Sequence, residues 1–177
     1  AEHRELWVPA PCGKQEGTVR FQRYSAGTVV VLDRLTRMSP KEVVQPQVAT
    51  LLRYRYDKSS DGASNPRLSL HDQTTVKPAL VFGCRPCDAR AFVLTDRVFA
   101  AGRFVDPYYR ARRENTLFAS LVCREADGAC FCSAVGGGPA DPTGSDLLII
   151  PIAGGWVLES LQERAQALLD AVGEPVA

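Results

Sequence analysis

Two uninterrupted apolar runs, residues 78–83 (PALVFG) and 116–122 (TLFASLV), each lead straight into a cysteine, Cys84 and Cys123. Apolar runs of this length, bounded by turn signals, read as strands buried on both faces. Behind the first run, residues 88–101 (DARAFVLTDRVFAA) place Ala91, Leu94, Val98 and Ala101 on one face at helical spacing, and Gly102 ends the segment. Cys84 and Cys87 therefore occupy a strand-to-helix turn. In α/β folds, sites gather where strands end.

The remaining segments fit the same class. Residues 17–24 (GTVRFQRY) alternate and favour β structure, residues 28–32 (TVVVL) form a short apolar run, and Ser25, Ala26 and Gly27 between them suit a hairpin turn. Ser39, Pro40, Lys41 and Glu42 mark a helix start, with Glu42 three residues after the capping serine, and Pro46 limits it. Residues 51–56 are too short to assign. Residues 57–73 (DKSSDGASNPRLSLHDQ) are rich in Ser, Asp, Gly and Pro and read as an exposed polar loop, reaching to about residue 75. Residues 146–152 (DLLIIPI) and 156–159 (WVLE) form a hairpin about Ala153, Gly154 and Gly155. A closing helix over 161–172 sets Leu161, Ala165, Leu168, Leu169 and Val172 on one side, with Gly173 and Pro175 ending it. The expectation is an α/β fold: a mixed sheet with flanking helices, with cysteine-bearing loops at strand ends.

At 177 residues, the expected organisation is a single domain over residues 1–177. A formal net charge of +1, from 21 basic and 20 acidic residues, gives no basic patch for nucleic acid or an anionic membrane. No apolar run approaches the ~20 residues of a membrane helix, and no basic-then-apolar leader precedes the first strand-like segment. The chain reads as a soluble, cytoplasmic protein. It begins at Ala1, without an initiator methionine, as a trimmed chain would.

Five of the six cysteines cluster: Cys84-x2-Cys87, then Cys123-x6-Cys130-x-Cys132, with Cys12 apart in a Pro-Ala-Pro-Cys-Gly loop. With no secretory signal, metal or redox chemistry is the expectation over disulfides. A [4Fe-4S] cubane takes four thiolates, which loops at strand and helix ends can bring together from distant positions. Cys87 opens the helix of 88–101, where N–H groups and the positive dipole end stabilise a thiolate. Arg85, Arg90, Arg110, Arg112 and Arg113 can offset cluster charge, or can simply form a solvated, salt-bridged face. Asp88 suits the first helical turn whatever the site does.

Three alternatives stand beside the cluster. A tetrahedral zinc also takes four cysteines, although the long gap and the Cys-x-Cys pair depart from two-plus-two knuckles, and a zinc or a cluster can serve only to staple a structural or docking domain without a redox role. The cysteines can be unliganded core residues. Cys84-x-x-Cys87 can be a thiol-disulfide pair, which leaves the other three unexplained. His3 and His71 read as surface residues with no nucleophile beside them. Gly136, Gly137 and Gly138 lead into no helix as a phosphate loop does, and read as a tight or flexible turn. Tyr108 and Tyr109 are open to core packing or to a place beside the site. Phe131 is expected to shield the cluster from water.

The stretch FGCRPCDARAF at 82–92 resembles the Gly-x-Arg/His-Pro-Cys-Asp segment of sulfhydrogenase beta subunits and anaerobic sulfite reductase A subunits. Further matches follow in order: Asp106-x-Tyr108-Tyr109, Arg112-Arg113-Glu114, Cys123, Cys130-Phe131-Cys132, Gly138-Pro139 and Asp146-Leu147, with Ser39-Pro40-Lys41-Glu42 upstream. The resemblance covers roughly residues 28–160. It implies an N-terminal iron-sulfur domain with one [4Fe-4S] cluster on Cys87, Cys123, Cys130 and Cys132, since relatives commonly carry valine at the position of Cys84. Cys84 is then a spare, buried residue. The family also carries a ferredoxin-like part with Cys-x-x-Cys-x-x-Cys-x-x-x-Cys-Pro runs, which this sequence lacks. The resemblance therefore implies a piece of a longer protein, or a lineage with that part on a separate chain. The function it implies is a non-catalytic electron-transfer subunit of a sulfhydrogenase- or sulfite reductase-type oxidoreductase in anaerobic metabolism. Its partners would be ferredoxin-like, flavin- or NAD(P)-binding, hydrogenase or reductase subunits.

Overall fold

The computed structural model describes residues 4–13, 17–57 and 67–172. The architecture is mixed α/β. A six-stranded sheet is built from β1 (Glu5–Pro11), β2 (Val19–Arg23), β5 (Ala79–Cys84), β6 (Thr116–Leu121), β7 (Leu147–Ile152) and β8 (Gly155–Ser160), in the order β2-β1-β5-β6-β7-β8. The four inner strands run parallel, and an antiparallel strand closes each edge. A separate antiparallel pair consists of β3 (Leu52–Asp57) and β4 (Arg67–Asp72).

The apolar runs become the central strands for the reason their sequence gives. All six residues of β6 are buried, and β5 alternates between buried and partly buried positions. On one face, Val81, Cys84 and Phe118 pack with Phe92 and Tyr109 from helices α2 (Pro86–Phe99) and α3 (Pro107–Glu114), and with Val44 from α1 (Lys41–Val44). On the other face, Ala119, Leu121, Leu147 and Ile149 pack against Ala165 of α4 (Glu163–Val172). Fully burying one such side chain is worth about 1.5–3 kcal/mol, so the two layers hold the central strands rigidly. Asp146, only 2% exposed, locks the entrance to β7: it accepts from the Phe118 N–H at 2.8 Å and pairs with Arg164 at 2.6 Å.

Several expectations change. The strand at 17–24 pairs with β1, not with residues 28–32. That apolar run is not a strand; Val31 N–H donates to the Pro9 carbonyl, and Leu32 packs against the α4-side core. Its partner β1 carries Pro9 and Pro11, beyond the three β1 residues that register with β5. The polar loop expected over 57–73 contains β4, while 58–66 lie outside the described residues. Helix α2 turns its other side inward: Ala89 and Phe92 are buried, whereas Leu94 is 54% and Val98 68% exposed. Phe92 stacks on Phe118 at 4.6 Å and Phe99 on Tyr109 at 5.3 Å, so aromatic burial outweighs the aliphatic stripe. Tyr109 is a core residue, its hydroxyl donating to Asp96 at 2.6 Å. Among the described residues, no helix is long and apolar enough to cross a membrane. Gly173, Pro175 and His3 lie outside the described residues.

Candidate metal centre

Because β5 and β6 are neighbours and parallel, their C-terminal ends deliver cysteines to one edge of the sheet. Gly83, with φ +80°, kinks β5 at its bulge, and a Cβ there would meet Leu32 at 2.7 Å. The chain then turns into α2. Arg85 is its N-cap and Pro86 its first helical residue, which places Cys87 in the first turn. Asp88 accepts from the Arg85 N–H at 3.3 Å, half of a capping box whose other half arginine has no acceptor to complete.

The second group follows β6. The Cys123 N–H donates to the Pro139 carbonyl at 3.0 Å, which folds the loop back on itself. Asp127 shapes the next turn: its carboxylate accepts from Ala129 N–H at 2.7 Å, its carbonyl accepts from Cys130 N–H at 3.1 Å, and its N–H donates to the Cys130 sulfur at 3.3 Å. Cys132 begins a 3-10 turn, Cys132–Val135, closed by Gly136 at φ 72°, with the Gly137 N–H on the Cys132 carbonyl at 2.9 Å. The glycine run is thus a helix stop. From α2, Arg90 holds this turn, donating to Asp141 at 2.6 Å and to the Val135 carbonyl at 3.3 Å.

The structure sorts the six cysteines, all free thiols. Burial pushes Cys87 up to about 11, with Asp88 and then the charges of Cys123 and Cys132 adding to it. Burial also raises Cys123, Arg85 pulls it back, and Cys130 and Cys132 raise it further. Cys123 and Cys132 thus stand within electrostatic reach of Cys87, and Cys130 and Cys132 within reach of Cys123. Cys84 points away into the core. It is fully buried, 3.4 Å from the Ser120 hydroxyl, and pushed up to about 12 by desolvation. Cys12 lies at the end of β1, on the wall of an open groove of about 1670 Å³ that Arg34, Arg85, Arg124 and Trp156 also line.

Some expected roles fall away. The helix start was expected to favour the Cys87 thiolate, but burial and the adjacent Asp88 carboxylate raise its pKa. Arg110, Arg112 and Arg113 belong to α3, which leads into the N-terminal end of β6, whereas Cys123 follows the C-terminal end of that strand. Arg113 pairs with Asp96 at 3.2 Å over the rings of Phe92 and Phe118. Arg85 is the arginine at the thiols. Phe131 is 69% exposed and turns to solvent, so it does not cover them. His71 is exposed on β4, opposite Arg53. The sequence reading missed Asp127, although an Asp three residues before a cysteine is a turn-forming signal.

Among the described residues, no three His, Cys, Asp or Glu side chains are gathered as a single metal ion requires. A tetrahedral zinc, with Zn–S of about 2.3 Å, needs its sulfurs roughly 3.8 Å apart. Comparison with protein-family models, curated proteins and solved structures finds no match for the chain.

Proposed function

We propose that this chain is an electron-transfer module of the sulfhydrogenase beta subunit or anaerobic sulfite reductase A type. In this reading, Cys87, Cys123, Cys130 and Cys132 hold one [4Fe-4S] cluster, and the chain relays electrons between ferredoxin-like clusters and a flavin- or hydrogenase-type partner subunit. The observation that carries the reading is the placement of the thiols: Cys87 follows β5 and Cys123 follows β6, neighbouring parallel strands, with Cys130 and Cys132 on the loop after β6, while Cys84 is fully buried in the core.

When bound, the cluster supplies one-electron storage. The chain's own residues set the conditions. The rigid ends of β5 and β6 fix where Cys87 and Cys123 stand. Arg85 offsets negative charge beside Cys123, and the Asp127 N–H gives the Cys130 sulfur a hydrogen bond, both of which raise a cluster's potential. With Cys87 raised to about 11, its thiol is protonated at neutral pH, so loading releases a proton and is favoured as pH rises. A Cys84-x-x-Cys87 dithiol enzyme is disfavoured, because Cys84 is fully buried and its thiol is raised to about 12.

Anaerobic reconstitution with iron and sulfide tests the proposal. The expected product is brown, with about four irons per chain and a broad band near 400 nm that dithionite bleaches. Colourless protein that takes up one zinc at these thiols would overturn it.

A further inference from the structure

The β3–β4 pair lies outside the proposed cluster site, and its side chains are sorted by face. Its register sets Leu52, Tyr54 and Tyr56 opposite Asp72, Leu70 and Leu68. Directly opposed residues share a face, so one side of the hairpin carries a leucine and two tyrosines beside a row of two leucines. The other side carries Arg53, Arg55 and Asp57 opposite His71, Ser69 and Arg67. The apolar side is open to solvent: Leu52 50%, Tyr54 73%, Tyr56 50%, Leu68 55% and Leu70 59% exposed. Among the described residues, neither strand joins the six-stranded sheet.

Two magnitudes make this arrangement incomplete. Side chains of this kind offer up to about 150–250 Å² each, so five at these exposures present roughly 500 Å², near the top of what a soluble monomer leaves uncovered. A two-stranded hairpin alone is also marginal in water; about three strands with an apolar face, or packing against another element, are needed for stability.

We propose that this hairpin is a dimerisation arm whose apolar face packs on the same face of a second copy of the chain. A two-fold axis running along the strands turns the tyrosine row of one copy over the leucine row of the other, large against small, at the usual sheet spacing of about 10 Å. The result is a four-stranded, two-layer unit with its own small core. Two such faces bury about 1,000 Å² in total, the area at which specific interfaces begin. The arginines stay on the outer faces, in water, and Asp72, the charge on the apolar side, lies at its end, where it accepts from Thr74. The contact is isologous and closed, which uses up both patches.

Light scattering after gel filtration, with sedimentation velocity from about 1 to 100 μM under reducing conditions, reads the outcome on the whole chain. The expected mass is that of two chains. Leu70→Glu, which places a carboxylate at the centre of the face, should give one chain that keeps a cooperative circular dichroism melt for the six-stranded sheet, and Arg55→Glu on the outer face should remain a dimer. Tyr54→Lys should repeat the Leu70→Glu result and guards against misfolding of either variant. A monomer at every concentration overturns the proposal, whatever other protein covers the face. So does a dimer that survives both Leu70→Glu and Tyr54→Lys.

Discussion

Replacing Arg90 by methionine tests how the cysteine loop is held to the helix that carries Cys87. Methionine keeps most of the apolar stem and removes the guanidinium. The lost contacts are the 2.6 Å pair with Asp141 and the 3.3 Å bond to the Val135 carbonyl at the end of the Cys132 turn. Hydrogen bonds to charged groups contribute about 1.5–3 kcal/mol. Arg90 is 32% and Asp141 12% exposed, so screening reduces that to about 1–2 kcal/mol. Asp141 is not orphaned, because its carboxylate still accepts from the Thr143 N–H at 3.0 Å. For a chain of this size, the loss corresponds to a fall in Tm of about 3–6 °C. The Asp141 carboxyl is held below its ordinary value, first by Thr143 and then by Arg90. A group depressed in the folded state contributes stability above its unfolded value of about 3.9 and loses it as pH falls through the lower folded value. The gap between wild type and Arg90→Met should therefore be constant from pH 7 to 5 and close below about pH 4. Thermal unfolding followed by circular dichroism reads it, with Asp141→Asn completing a double-mutant cycle. An unchanged Tm, or a gap that widens in acid, would refute the latch.

Gly144 has φ +82°, and a Cβ there would overlap the Ala89 carbonyl oxygen of α2 and stand 3.0 Å from Val93. Gly144→Ala should cost at least about 2 kcal/mol in denaturant unfolding, while Gly138→Ala, with nothing within 4 Å, should cost far less. Alkylation with iodoacetamide at pH 8 should label exposed Cys130 and spare buried Cys84 in peptide mass spectra; equal labelling of the two contradicts the assignment. Cys84 is raised from 9.0 to about 12, so its contribution to stability is full below pH 9 and is lost as pH rises toward 12; in Cys84→Ala that alkaline loss should shrink.

The central strands were legible because burial on both faces leaves a continuous apolar run that few other structures produce. The helix after Cys87 was legible from its spacing and its stop at Gly102, but its inward face was not. Four aliphatic positions outnumber two aromatic ones in sequence, yet Phe92 and Phe99 bring more area to the core. Strand β1 was hidden by Pro9 and Pro11, residues that usually argue against a strand. The β3–β4 pair was hidden by the Ser-, Asp- and Pro-rich stretch that joins its strands, although LRYRYD and RLSLHD both alternate with period two. Helix α3 was not expected, although Asp106 caps it, accepting from the Tyr108 and Tyr109 N–H groups, and Pro107 opens it. At the candidate site, the choice of Cys87, Cys123, Cys130 and Cys132 rests on a resemblance, since spacing alone leaves five candidates. The roles of Arg85, Arg90 and Asp127 come from loop geometry that spacing does not encode.

The most direct measurement is the iron content and the absorbance near 400 nm of the anaerobically reconstituted protein across single cysteine-to-serine variants. Cys87→Ser, Cys123→Ser, Cys130→Ser and Cys132→Ser should each lose the four-iron species, while Cys84→Ser and Cys12→Ser should retain about four irons per chain. Loss of the band in Cys84→Ser with full retention in Cys130→Ser would contradict the account.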